Sequence, residues 1–171
     1  MWWRSPPLMF MLSLALAGCG FHPLYGSKSV SQTDAQVKER LALVKVAPID
    51  DRNGQILHNE LEYRLHSETK AVKPEYTLLI TLSSSLGGIN FQKNATASGG
   101  ELNMTATWNL IRYSSDKSLA SGSFTSVDSV NFLGPRYASV SAERDAEHRA
   151  INDLADMITD RVAVYLSSHK Q

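Results

Sequence analysis

Apolar and polar residues alternate with a period of two along the middle of the chain. In Tyr76–Leu86 one phase holds Tyr76, Leu78, Ile80, Leu82 and Leu86, and in Leu102–Tyr113 it holds Leu102, Met104, Ala106, Trp108 and Leu110. Alternation of this kind belongs to strands with one covered face. The third segment, Leu119–Phe132, is less regular: Phe124, Val130 and Phe132 share a phase that Val127 breaks, which predicts a bulge or a bend. A loop over Gln92–Gly100 and a tighter turn over Ser114–Lys117 join the three as antiparallel neighbours.

The flanking segments change period. Leu41–Ile49 is a short run rich in β-branched residues that ends near Pro48, and it reads as a first strand. Asp50-Asp51-Arg52-Asn53-Gly54 is a turn cluster able to cap the next segment. From Gln55 to Ser67 the spacing of Leu57, Leu61 and Leu65 predicts a helix that stops before Pro74. A longer helix is predicted over Ser139–Ser167, capped by Ser141, with Ile151, Leu154, Ile158, Val162 and Tyr165 forming one apolar stripe. The order β-α-β-β-β-α predicts an α+β two-layer sandwich, a four-stranded, mostly antiparallel sheet packed by two helices.

The other phase of the strands is polar yet uncharged. It holds Thr77, Leu79, Thr81, Ser83 and Ser85, then Asn103, Thr105, Thr107, Asn109 and Ile111, and continues in Ser121, Ser123 and Thr125. A freely solvated sheet face usually carries Lys, Glu or Arg, partly to prevent edge-to-edge pairing. Short hydroxyl and amide side chains suit contact with another polar surface through direct bonds and trapped water. Thr is also a good strand former, so an ordinary Thr-rich face stays open as an alternative.

The chain begins differently. Arg4 is followed by the apolar run Leu8–Ala17, about half the length a membrane-spanning helix needs, and then by Gly18 and Cys19. Charged start, short apolar middle and small residues before a cut make a secretory signal peptide over residues 1–18. Leu16-Ala17-Gly18-Cys19 has the form of the bacterial lipobox, with Cys19 as the lipidation site. Cys19 is the single cysteine, which excludes disulfides and cysteine-ligated metals once it is acylated. Residues 19–40 then read as a lipidated start and flexible tether, because Ser27–Gln36 is polar and without periodicity. Residues 41–171 are left as one domain. With 17 basic and 17 acidic residues the chain is near neutral, which argues against a nucleic-acid partner.

Cys19-Gly20-Phe21-His22-Pro23-Leu24-Tyr25-Gly26 resembles the start of mature members of the LptE family of lipopolysaccharide-assembly lipoproteins. Tyr137-Ala138, Ala142–Ala146, Arg149-Ala150, Leu154-Ala155 and Tyr165-Leu166 resemble the last helix of the alphaproteobacterial branch of that family. The resemblance implies an outer-membrane lipoprotein, anchored on the periplasmic side, that plugs and helps assemble the LptD β-barrel and delivers lipopolysaccharide to the outer leaflet. It implies a barrel-facing role for Thr77, Thr81, Thr105 and Thr107, which lie in the uncharged phase. Family members also bind lipopolysaccharide through basic residues near the strand loops; this sequence departs from a strongly basic pattern there, and Lys93 and Lys117 are its candidates, with an ordinary solvated lysine as the alternative for each. Gly20, in place of Asp, after the lipidated cysteine agrees with sorting to the outer membrane. A scaffold lipoprotein of another envelope complex and a periplasmic lipid-binding module are the rival readings; a closed apolar pocket would favour the second.

His58, Glu62 and His66 share one helical face and are the one set resembling metal ligands, but they lack the His-Glu-x-x-His arrangement and read as a solvated face. Asp50-Asp51 is better placed for capping than for acid–base work. No nucleophile elbow or phosphate-cradling glycine loop occurs, so neither an enzyme nor a metal or other cofactor is expected.

Overall fold

The computed structural model describes residues 32–66, 73–91, 97–131 and 136–169, which belong to one compact unit, Gln32–Gln171. Cys19 and the lipobox residues Leu16, Ala17 and Gly18 lie outside the described residues, as do Lys93 and Phe132. The elements run α1 (Gln32–Leu41), β1 (Val44–Val46), α2 (Asp51–His66), β2 (Tyr76–Phe91), β3 (Ala97–Arg112), β4 (Ser118–Asn131) and α3 (Arg136–Ser168). No helix among the described residues is long and apolar enough to cross a membrane.

The strands form one mixed sheet in the order β1-β2-β3-β4, with β1 parallel to β2 and the other pairs antiparallel. The expected α+β two-layer sandwich is what the chain forms. Its inner face is the predicted apolar phase: Tyr76 and Leu78 from β2, and Leu102, Met104, Ala106, Trp108 and Leu110 from β3, are all buried. Leu57, Leu61 and Leu65 of α2 and Ile151, Leu154, Ile158 and Val162 of α3 close over them. Ala146, Ala150 and Ala155 are fully buried as well and keep α3 slim against its neighbours. The last core position of α3 is Leu166, not Tyr165, which is only half-buried.

α3 runs back along β4. Arg149 Nε donates to Asp128 Oδ1 at 3.0 Å and, further along, Ser126 Oγ donates to Asp153 Oδ2 at 3.3 Å, so the two elements are antiparallel. The helix begins at Arg136, which places Ser141 inside it as an exposed residue and removes its predicted capping role.

Two other expectations are corrected. The tether assigned up to residue 40 is helical from Gln32, because α1 is held from outside. Leu41 is buried, Val37 packs beside it, and the Arg40 guanidinium donates to the carbonyls of Leu166 and His169 at the end of α3. A ten-residue polar helix does not persist in water alone, so these tertiary contacts decide it. The bulge or bend expected at Val127 is absent: β3 and β4 stay in register from Gly99↔Asn131 to Leu110↔Ala120, and the one shift lies beside the turn, between Leu110 and Ile111. Val127 does not break the phase. It points to the outer face, 57% exposed, while Phe124, Ser126 and Val130 share the inner one.

The predicted first strand also contracts to three residues, since Leu41 ends α1 and Pro48 follows closely. α2 starts at Asp51, whose φ of 67° lies in the left-handed region that Asp tolerates better than most residues. Gly54 is required in the next turn, because a Cβ there would lie 2.7 Å from Ile49 Cγ2 and 3.1 Å from the Ile49 backbone. α2 and α3 are clasped by Arg64, which donates to Asp156 Oδ1 at 2.7 Å and to Glu60 Oε2 on its own helix at 2.5 Å. Burial opposes the Arg64 charge, but these two hydrogen-bonded carboxylates outweigh it and hold the guanidinium above its ordinary pKa.

Candidate partner-binding face

The helices cover one side of the sheet only. Strand alternation puts every second residue of β2, β3 and β4 on the uncovered side. Pairing aligns them as Leu79–Asn109–Ser121, Thr81–Thr107–Ser123, Ser83–Thr105–Thr125 and Ser85–Asn103–Val127. None of these twelve positions is charged. With strands about 4.8 Å apart and about 3.4 Å per residue, the patch is roughly 20 Å long and 10 Å wide. Charge enters only beyond it: Lys45 flanks Thr77 and Ile111 at one end, and Glu101 lies between Gly87 and Ser129 at the other.

The side chains on this face are tied mainly to each other. Thr105 Oγ1 and Thr125 Oγ1 are 2.9 Å apart, and Thr107 Oγ1 and Ser123 Oγ are 3.3 Å apart. Ser118 Oγ donates to Asn109 Oδ1 at 2.7 Å, and Asn103 Nδ2 to Glu101 Oε1 at 3.0 Å. Each hydroxyl keeps spare capacity, since it offers one donor and two acceptor sites. The result is a flat, short-chained surface that a polar partner can approach closely without displacing long side chains.

Of the threonines singled out from sequence, Thr81 and Thr107 are direct cross-strand partners and Thr105 lies diagonally next to Thr81, two residues along β3 from Thr107. Thr77 is on the same face but outside the uncharged rows, beside Lys45. Val127 belongs to the patch as well, because the unbroken register puts it opposite Asn103, which the apolar pattern of its own strand does not reveal.

Lys117 is exposed in the turn after β3, and its carbonyl accepts from Arg112 N at 3.0 Å. Lys93 lies outside the described residues, between the end of β2 at Phe91 and the start of β3 at Ala97 in the sequence. His66 Nδ1 lies 2.8 Å from Glu62 Oε2, and Glu62 Oε1 accepts Val46 N at 3.3 Å, so Glu62 joins α2 to the edge of β1. Among the described residues no cluster of three or more His, Cys, Asp or Glu side chains has metal-holding geometry.

The lipopolysaccharide-assembly family LptE matches residues 41–162, from the end of α1 nearly to the end of α3. This chain belongs to the LptE family. The solved structures agree in fold. A lipoprotein of Caulobacter crescentus CB15 superposes with a TM-score of 0.64 at 20% identity, over 80% of this chain and 98% of that one. The minor lipoprotein of Acinetobacter baumannii gives 0.55 at 15% identity, over 71% of this chain and 88% of its own. Lipoprotein B of Nitrosomonas europaea, solved by NMR, gives 0.54 at 18% identity, over 72% and 83% of the two chains. No curated protein matches. Membership of the LptE family gives the chain a general role in lipopolysaccharide assembly as an envelope lipoprotein, in a family that is not enzymatic.

Proposed function

We propose that this LptE-family protein is an outer-membrane lipoprotein that plugs and helps assemble the LptD β-barrel, through which lipopolysaccharide reaches the outer leaflet. Residues 1–18 are the signal peptide in this reading, Cys19 carries the acyl chains on the periplasmic side, and residues 32–171 form the plug domain. The observation that carries the proposal is the uncharged face built on Thr81, Thr105, Thr107, Ser123 and Thr125. The lumen of an outer-membrane barrel is polar, and a plug must match it without leaving charges unpaired. The filled core supports the plug over a lipid-binding module, because Leu57, Leu61, Met104, Leu110, Leu154 and Ile158 occupy the space between sheet and helices. Lys93 and Lys117 are the candidate lipopolysaccharide contacts in this reading, on the family resemblance alone.

The test is Thr105→Lys and Thr107→Lys. Each places a charge on the face without touching the core, so the purified protein should melt within about 0.5 kcal/mol of the parent. Burying that charge against a barrel wall costs several kcal/mol. Co-purification with LptD should fall and the outer membrane should become permeable to large antibiotics. Full complex formation by both variants would remove this face from the interface.

A further inference from the structure

The two edges of the sheet are treated differently. β1 is three residues long, is followed closely by Pro48, and has its Val46 N–H engaged by the Glu62 carboxylate at 3.3 Å. β4, at the other edge, is fourteen residues long and contains no Pro, Lys or Arg. Its single charged residue, Asp128, turns inward to Arg149. Short length, proline, lysine, bulges and inward-pointing charges are the usual guards against strand addition; over Ala120–Asn131 β4 has only the last, and Arg149 pairs with that Asp128.

Beneath this edge the inner layer opens into a groove of about 380 Å³, lined by Trp108, Gly122, Phe124, Arg161, Val164 and Tyr165, among others. Its walls are mostly apolar. Two of its nitrogen donors lack partners among the described residues. Trp108 Nε1 is buried with no acceptor, and the exposed Arg161 has no carboxylate within ion-pair distance.

We propose that the β4 edge and this groove form a strand-addition site for an extended segment of a partner polypeptide. The segment pairs its backbone with β4, sets an apolar side chain against Phe124 and Tyr165, and directs a carboxylate to Arg161. Strand addition draws affinity from main-chain hydrogen bonds and specificity from pockets for alternate side chains, and this edge supplies both. A lipid chain would fill the groove but leave the outward N–H and C=O groups of β4 without partners, which favours a peptide. The site borders the uncharged face, sharing Ser121 and Ser123 with it, but uses the free backbone edge and the inner groove and not the outward side chains.

Trp108 reports occupancy directly. Trp2 and Trp3, the other indoles of the chain, belong to the signal peptide in the proposed reading, so the indole emission of the mature protein in detergent comes only from the groove. The probes are synthetic peptides of about ten residues that alternate Thr with Val or Leu and carry one Glu. The expected result is a saturable shift of Trp108 emission, weakened about tenfold or more by Arg161→Gln and by Ser123→Pro, and unchanged by Lys45→Ala at the other edge. The exposed Arg161→Gln keeps the test open if Ser123→Pro disturbs folding. Equal binding of a scrambled peptide, or no saturable shift, would overturn the proposal. So would a response to dodecyl phosphate without one to the peptides, which assigns the groove to an anionic amphiphile. A concentration-dependent dimer abolished by Ser123→Lys would overturn it in favour of a second copy of this chain.

Discussion

Trp108 and Gly122 face each other across the β3–β4 pair, and the indole lies directly beneath the glycine. A Cβ at position 122 would sit 3.2 Å from Cε2, Cζ2 and Nε1 of the ring. The glycine therefore makes room for the largest side chain of the core, and Phe124 stacks beside it with centroids 6.3 Å apart. An aromatic laid across a strand glycine covers backbone that the glycine leaves bare.

Gly122→Ala should accordingly destabilise the protein by about 1 kcal/mol, and Gly122→Val by more, because a Cβ at 3.2 Å makes the indole give way from its place in the core. Chemical denaturation followed by Trp108 fluorescence measures both. An Ala variant as stable as the parent would show that the ring shifts at no cost.

Gly54→Ala tests a tighter contact. The new Cβ would meet the Ile49 side chain and backbone together, so the entry into α2 must move, at a cost of about 1–3 kcal/mol. Ile49→Ala in the same chain should recover only part of the loss, since the backbone contact at 3.1 Å remains. Thermal melts of the two single variants and the double variant decide this.

Arg64→Ala should cost about 1–2 kcal/mol, and Arg64→Lys most of that, because a lysine cannot reach Asp156 and Glu60 with a planar fork. The Arg64–Asp156 coupling taken alone should be under about 1 kcal/mol, as the Asp156 side chain is 66% exposed. A double-mutant cycle with Asp156→Ala measures it.

Cys19→Ser should yield a protein without acyl chains, released from the membrane by washing alone. Each buried methylene contributes about 0.8 kcal/mol, so several chains hold the parent firmly. Mass spectrometry of the N-terminus is the check. A parent protein with retained Met1 or an unmodified Cys19 would refute the lipid anchor.

Much of this architecture is written in local pattern. Period-two alternation in Tyr76–Leu86 and Leu102–Tyr113 assigned the covered phase of β3 from Leu102 to Leu110, because a strand exposes alternate residues to alternate media, but β3 begins at Ala97, inside the stretch expected to be loop up to Gly100. In β2 the same phase is buried at Tyr76 and Leu78 but fades outward, and Leu86 is 40% exposed. The leucines of α2 and the stripe from Ile151 to Val162 were legible for the same reason, and so was the uncharged opposite phase that became the candidate face. Three features depended on contacts between residues far apart in sequence. α1 exists because Arg40 and Leu41 find the end of α3, and nothing in a polar ten-residue stretch announces that. Val127 proved to be in phase only once β3 fixed the register of β4, since pairing with a neighbour and not the strand's own composition sets which face each residue takes. Which edge stayed open was decided by the order of strands in space: Glu62 folds back to close β1, while β4, last in the sheet, borders the groove over Trp108.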